Sequence, residues 1–138
     1  MPLRPVLTAL SLAILSLGCT PSSDTYAQNC ATPLPHWKTK KEGIGHMQPV
    51  IPVMIAADGS ITWFEERISS NQLNKYMHMT TGLEPPPRII LDVADDAPCL
   101  AVQRVRGIMD TAPICRGEWP ECSEGQDWKS FDERSFAE

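Results

Sequence analysis

Apolar positions change their period several times between Val50 and Ala112, and each change marks an element. Val50 to Ala56 is an apolar, β-branched-rich run broken only by Pro52. Asp58-Gly59 follows, a strong signal for a hairpin turn. Ser60 to Ile68 then alternates, with Ile61 and Trp63 on one face and Glu65-Glu66-Arg67 reading as a polar turn. The two runs predict antiparallel strands. Pro52 cannot donate to a ladder, so either the first strand is an edge or its pairing starts after that residue.

A period near 3.6 replaces the alternation at Ser69. Ser69-x-x-Gln72 is a capping box, in which the hydroxyl accepts from the free N3 amide and the glutamine reaches back. Ile68 and Leu73 stand where a hydrophobic staple needs them. Leu73, Tyr76, Met77 and Thr80 form one helical stripe, and Gly82 is the expected C-cap. Pro85-Pro86-Pro87 is a stiff connector. Ile89 to Val93 is a nearly continuous β run, the pattern of a central strand buried on both faces. Asp95-Asp96-Ala97-Pro98 opens a second helix, with acids near the positive end of its dipole. Val102, Val105, Ile108 or Met109, and Ala112 recur at helical spacing, with Arg104 and Arg106 off the stripe. Pro113 stops it. The order β-β-α-β-α predicts an α+β fold, a small twisted sheet with two helices on one face, and leaves a short final strand open.

The flanks differ in kind. Arg4 precedes an apolar stretch from Val6 to Leu17, shorter than the roughly 20 residues a spanning helix needs, so residues 1–18 read as a secretory signal peptide. Ser16-Leu17-Gly18-Cys19 resembles a bacterial lipobox, which makes Cys19 the expected lipidation site and the new N-terminus. Thr20 in the next position favours the outer membrane by the same resemblance. The alternative is secretion after cleavage following Ala27. Residues 19–49, rich in Pro, Ser, Thr, Lys and Gly, predict a tether, or a partly ordered arm if Cys30 is bonded. Residues 50–122 are the folded domain, and 123–138 a polar tail.

Charge and cysteines narrow the function classes. Without residues 1–18 the chain has 11 basic and 17 acidic residues, a net charge of −6. That opposes nucleic-acid binding, which needs clustered Lys and Arg against phosphates. Lys38, Lys40 and Lys41 are the one basic cluster. If Cys19 carries lipid, Cys30, Cys99, Cys115 and Cys122 remain as disulfide candidates for an oxidising compartment. Cys115 and Cys122 bracket Gly117 and Pro120 and suit a small loop, leaving Cys30 for Cys99, though three connectivities stay open. The absence of Cys-x-x-Cys argues against a thioredoxin-like redox site.

Pro52-Val53-Met54-Ile55-Ala56-Ala57-Asp58-Gly59-Ser60-Ile61, then Ile68-Ser69 and Leu73, carry a resemblance to the periplasmic domain of the ExbD/TolR biopolymer-transport family. It continues through Ile89-Ile90-Leu91-Asp92-Val93-Ala94-Asp95-Asp96-Ala97-Pro98, Val102, Val105 and Ala112, about half the chain. Members of that family have one transmembrane helix whose embedded Asp relays protons. Residues 5–18 hold no acid, so that step is missing here. What the resemblance implies is the periplasmic role: contact with envelope proteins or peptidoglycan, with a homodimer as an option. The family returns with a final strand after the second helix, where this chain offers at most a stub near Pro113 to Pro120.

Little in the sequence points to catalysis. No Ser-His-Asp or Cys-His set has a recognisable local context, and no cofactor or metal site is expected. Asp92, Asp95 and Asp96 are explained by a solvated strand end and helix start. Met77-His78-Met79, with His46-Met47, offers soft ligands that suit copper, but Met77 and Met79 point about 200° apart on a helix. Trp119 and Trp128, with Phe131 and Phe136, form a candidate contact surface. Trp119 equally suits covering an open sheet edge. The expectation is a non-enzymatic, lipid-anchored envelope module. The first alternative is a periplasmic copper- or metal-binding lipoprotein, and the second a small hydrolase.

Overall fold

The computed structural model describes residues 30–126 and Trp128. The expected signal peptide, Cys19, the Ala27 alternative, Phe131 and Phe136 all lie outside the described residues. The strands are β1 (Val50–Ile55), β2 (Ile61–Trp63), β3 (Glu66–Ile68), β4 (Arg88–Val93) and β5 (Cys122–Glu124). The helices are α1 (Ser70–Thr80), α2 (Cys99–Asp110) and α3 (Pro113–Arg116). One mixed sheet runs β3-β2-β1-β4-β5. The chain has an α+β fold.

β1 is central. It pairs in parallel with β4 from Val50↔Arg88 to Ile55↔Val93, and antiparallel with β2 only from Val53 to Ile55. Of the two readings of Pro52, pairing that starts after it is the one found. Its carbonyl accepts from Phe64 N at 3.2 Å. Its donor-less nitrogen therefore faces the same side, where β2 has already ended. The Asp58-Gly59 turn forms as expected: Gly59 has φ 80°, and Asp58 Oδ1 accepts from Ser60 N at 2.9 Å.

The stretch from Ser60 to Ile68 is two strands, where the alternation reads as one. Phe64 (φ 48°) and Glu65 (φ 68°) reverse the chain, so Trp63 faces Glu66 across a tight turn. Both central residues are left-handed, as a primed hairpin turn requires. The turn lies one residue earlier than Glu65-Glu66-Arg67 and includes an aromatic.

α1 starts where the capping box puts it. Ser69 Oγ accepts from Gln72 N at 3.1 Å, and Gln72 Oε1 accepts from Ser69 N at 2.8 Å. Thr81 takes the C-cap, and Gly82 is outside the left-handed region. Successive parallel crossovers of one hand, moving the same way along the sheet from β1 to β4 to β5, place their helices on one face. Burial agrees. Ile51, Val53 and Ile55 alternate inward along β1 and meet Leu73 and Met77 of α1 and Val102, Val105 and Met109 of α2. On β4, Ile89 and Leu91 are buried, while Ile90 and Asp92 on the other face are only half covered.

Two boundaries move. The expected tether at 19–49 is packed from Cys30 onward: Trp37 is 3% exposed, and Lys38 bridges Ser123 alongside β5. The polar tail begins after Glu124, because Ser123 is fully buried in β5 with its hydroxyl donated to Ile89 O. The final strand therefore exists, parallel to β4. Arg106, off the apolar stripe, is nonetheless buried, because the arm and β5 close over that side of α2.

Cys30 bonds Cys99 and Cys115 bonds Cys122, the pairing favoured among the three. They span 69 and 7 residues. On the chain-entropy account the long loop contributes about 4 kcal/mol and the short one about 2.5 kcal/mol. Replacing Cys30 and Cys99 together with Ser should therefore lower guanidinium unfolding free energy more than replacing Cys115 and Cys122, and should expose residues 31–38 to limited proteolysis.

Candidate functional site

The most exposed specialised feature is built where β2 ends. Trp63 leaves β2 on the helix-covered face and packs against Tyr76 of α1, ring centroids 5.3 Å apart. The next residue, Phe64, sits at the turn, edge-on to Trp63 at 6.2 Å and 81°, and is 55% exposed. Met79, at the last turn of α1, is 63% exposed, and Leu83 just beyond is 49% exposed. Together with Ile51 and Thr80 they line a groove of about 270 Å³ whose walls are almost wholly apolar.

Phe64 is unusual on two counts. A bulky side chain in left-handed backbone costs roughly 1–2 kcal/mol, and primed turns are normally built from Asn and Gly. An aromatic in such a turn is normally compensated by burial, yet this ring stays largely in water.

A second pocket, about 260 Å³, lies at the carboxyl ends of β4 and β5 beside the start of α2. It brings Asp92 and Asp95 together with Glu124 and Arg106; Asp96 does not line it. Its polar groups are largely committed. Arg106 grips Glu124 with Nε at 2.8 Å and Nη2 at 2.6 Å, and Gln126 donates to Asp92 at 3.0 Å. Among the described residues no group of three or more His, Cys, Asp or Glu is placed to hold a metal ion. Met77 is fully buried and Met79 exposed, so the Met77-His78-Met79 run splits between core and surface.

Asp110, at the end of α2, organises the opposite side. Its Oδ1 lies 2.6 Å from His36 Nε2 and accepts from Trp37 Nε1 at 3.1 Å, while Oδ2 accepts from Arg116 Nε at 3.0 Å. Burial pushes this carboxyl up, but the hydrogen bonds from His36, Trp37 and Arg116 more than offset that and hold it below its ordinary value. The His36–Asp110 pair ties the arm to the end of α2.

The two tryptophans singled out by sequence are separate from the groove, and each has a cationic neighbour. Trp119 is 74% exposed, with Lys38 Nζ 6.0 Å from its ring. β5 occupies the sheet edge, so Trp119 has no vacant edge to cover. Trp128 is half-buried over Arg88, 5.8 Å from Cζ. Arg88 is 4% exposed and forms an ion pair with Glu121 at 3.1 Å. Burial lowers its pKa against the attraction of Glu121 and Glu42. Sequence reading missed the groove because Phe64, Tyr76, Met79 and Leu83 converge from a turn, a helix and a loop. The one legible signal was Phe-Glu in a reversal with no Gly or Asn.

Comparison with known proteins finds no match: no family model fits the chain, and no curated protein or solved structure matches it. Among the described residues, no helix is long and apolar enough to cross a membrane.

The depressed Asp110 carboxyl carries a signed pH dependence. Its contribution to stability is complete above the ordinary value of 3.8 and is lost as pH falls through the lower folded value. Asp110→Asn should cost about 1–3 kcal/mol near neutrality. The gap to the parent should narrow as denaturation is followed below pH 3.8.

Proposed function

We propose that this chain is a non-enzymatic, lipid-anchored envelope module that works by contact, with the Phe64 turn and its groove as the contact site. The observation that carries the reading is a strained, largely exposed aromatic beside an open apolar groove. Backbone strain persists where surrounding structure over-determines it, and it concentrates at working sites. Large exposed apolar features likewise mark interaction surfaces.

The partners are envelope proteins or the cell wall, and the module serves as an accessory to a transport system of the ExbD/TolR type. Three observations support this. The order of elements from β1 through α2 follows the resemblance. β5 supplies the returning strand whose absence would have counted against it. Two disulfides suit an oxidising compartment, and a lipid on Cys19 would hold the module at a membrane without a spanning helix.

Three experiments test it. Cys19→Ser should move the chain from the envelope to the soluble fraction; equal fractionation of parent and variant would remove the anchor. A photo-cross-linker at position 64 should trap an envelope component that one at position 104, on the exposed side of α2, does not. Phe64→Gly should leave unfolding free energy within about 1 kcal/mol of the parent, since relief of backbone strain offsets lost burial and added chain entropy. It should nevertheless abolish the adduct of a cross-linker placed at Leu83. Retention of that adduct would dissociate the turn from the contact site.

A further inference from the structure

We infer that Arg88, Trp128 and Lys40 form a binding site for a carboxylate-bearing ligand. The site is separate from the Phe64 groove. Arg88 stands two residues before Ile90 on β4, so its side chain leaves the sheet on the face away from the helices.

Two buried donors there lack an acceptor. Arg88 Nη1 and Trp128 Nε1 are both buried, and neither has a hydrogen-bond partner among the described residues. Both groups can only donate, so only an acceptor can satisfy them. A buried donor left unpaired is unfavourable, and it marks a place where an acceptor belongs. The donors adjoin, because the Trp128 ring lies over the guanidinium with Cζ 5.8 Å from its centroid. Tilting the indole off Arg88 admits an acceptor between them.

Gly125 keeps the third side open. A Cβ on it would stand 3.9 Å from Trp128 Nε1, 3.9 Å from Lys40 Nζ and 3.3 Å from Lys40 Cε. Its φ of 116° belongs to glycine in any case. The indole N–H and the Lys40 ammonium therefore border one small space, which a side chain at position 125 would fill.

The local charges select a single negative charge. Glu121 pairs with Arg88 at 3.1 Å, and Glu42 pairs with Lys38 at 3.7 Å. Lys40 is exposed and forms no ion pair among the described residues. One positive charge is thus left over beside the two donors. A carboxylate matches it and can accept from both N–H groups, in charge-assisted bonds from Arg88 and Lys40. A dianion would meet the repulsion of Glu121 and Glu42.

NMR of the indole N–H signals tests this on the full mature chain, made unlipidated by Cys19→Ser. Acetate is the probe, exchanged for chloride at constant ionic strength. The Trp128 signal, assigned by its loss in Trp128→Phe, should shift and saturate, while those of Trp63 and Trp119 stay in place. Sulfate should bind more weakly than acetate. Lys40→Gln should raise the acetate dissociation constant about threefold, the worth of an exposed ion pair. Arg88→Lys keeps the charge but removes the forked donors, and should raise it at least about tenfold. Should Arg88→Lys fail to fold, Lys40→Gln, at an exposed side chain, decides alone. A Trp128 signal that does not saturate with acetate overturns the proposal. So does tighter binding of sulfate, or an acetate affinity indifferent to Lys40→Gln.

Discussion

The parallel pairing of β1 with β4 is the constraint from which the rest of the architecture follows. Six consecutive residue pairs, Val50↔Arg88 to Ile55↔Val93, join strands separated by a hairpin and a helix. A parallel neighbour cannot be reached by a tight turn, so the chain must cross over, and α1 is the crossover. The same requirement recurs between β4 and β5, with α2 and α3 as the connection. Both crossovers fall on one face, which fills one side of the sheet with Leu73, Met77, Val102, Val105 and Met109 and leaves the other thinly covered. It also gives the domain two unlike ends. The carboxyl ends of β1, β4 and β5 and the start of α2 share one; the β2–β3 turn and the end of α1 share the other.

The sheet alone would leave β5 as an exposed edge, and polar side chains close it. Arg106 reaches Glu124 on β5 and donates to Ala31 O in the arm at 2.7 Å, so one guanidinium holds helix, strand and arm together. Asp110 repeats the device at the other end of α2 with His36, Trp37 and Arg116. Buried ion pairs of this kind add little over an apolar packing of the same shape, but removing one partner strands the other. They specify where the arm sits rather than simply adding stability. Lys38 then lies beside Ser123 and covers part of the β5 edge, as natural sheets do to avoid pairing with other chains.

Elements whose signals are local were legible in the sequence. Ser69 and Gln72 lie three residues apart and name the start of α1; Asp58-Gly59 names a turn; the period of Leu73, Met77, Val102 and Met109 names the buried faces. The α+β class followed from these, while the disulfide pairing found was only the favoured one of three open connectivities. What escaped was decided at long range. The split at Phe64 depends on β1 offering Pro52 O to the reversing chain, which alternation alone cannot report. β5 is three residues long and stable only because β4 and the arm flank it, so Ser123 read as tail. Arg106 falls off the apolar stripe, yet it is buried because residues far away in sequence close over it. The groove was invisible for the same reason: Ile51, Phe64, Met79 and Leu83 share no spacing that a sequence pattern could register.

The bond between Cys30 and Cys99 determines how the domain bears a pull. Tension arriving along the chain from the N-terminal side meets a covalent junction to the first residue of α2 before it reaches the arm. Load passes directly into the helix layer and bypasses Ala31 to Pro49, so neither the His36–Asp110 contact nor the Lys38 bridge is stretched. β1, whose hydrogen bonds would otherwise be peeled open one at a time from Val50, is sheltered within the closed covalent ring. The domain can be tugged by its N-terminal side without unravelling from it.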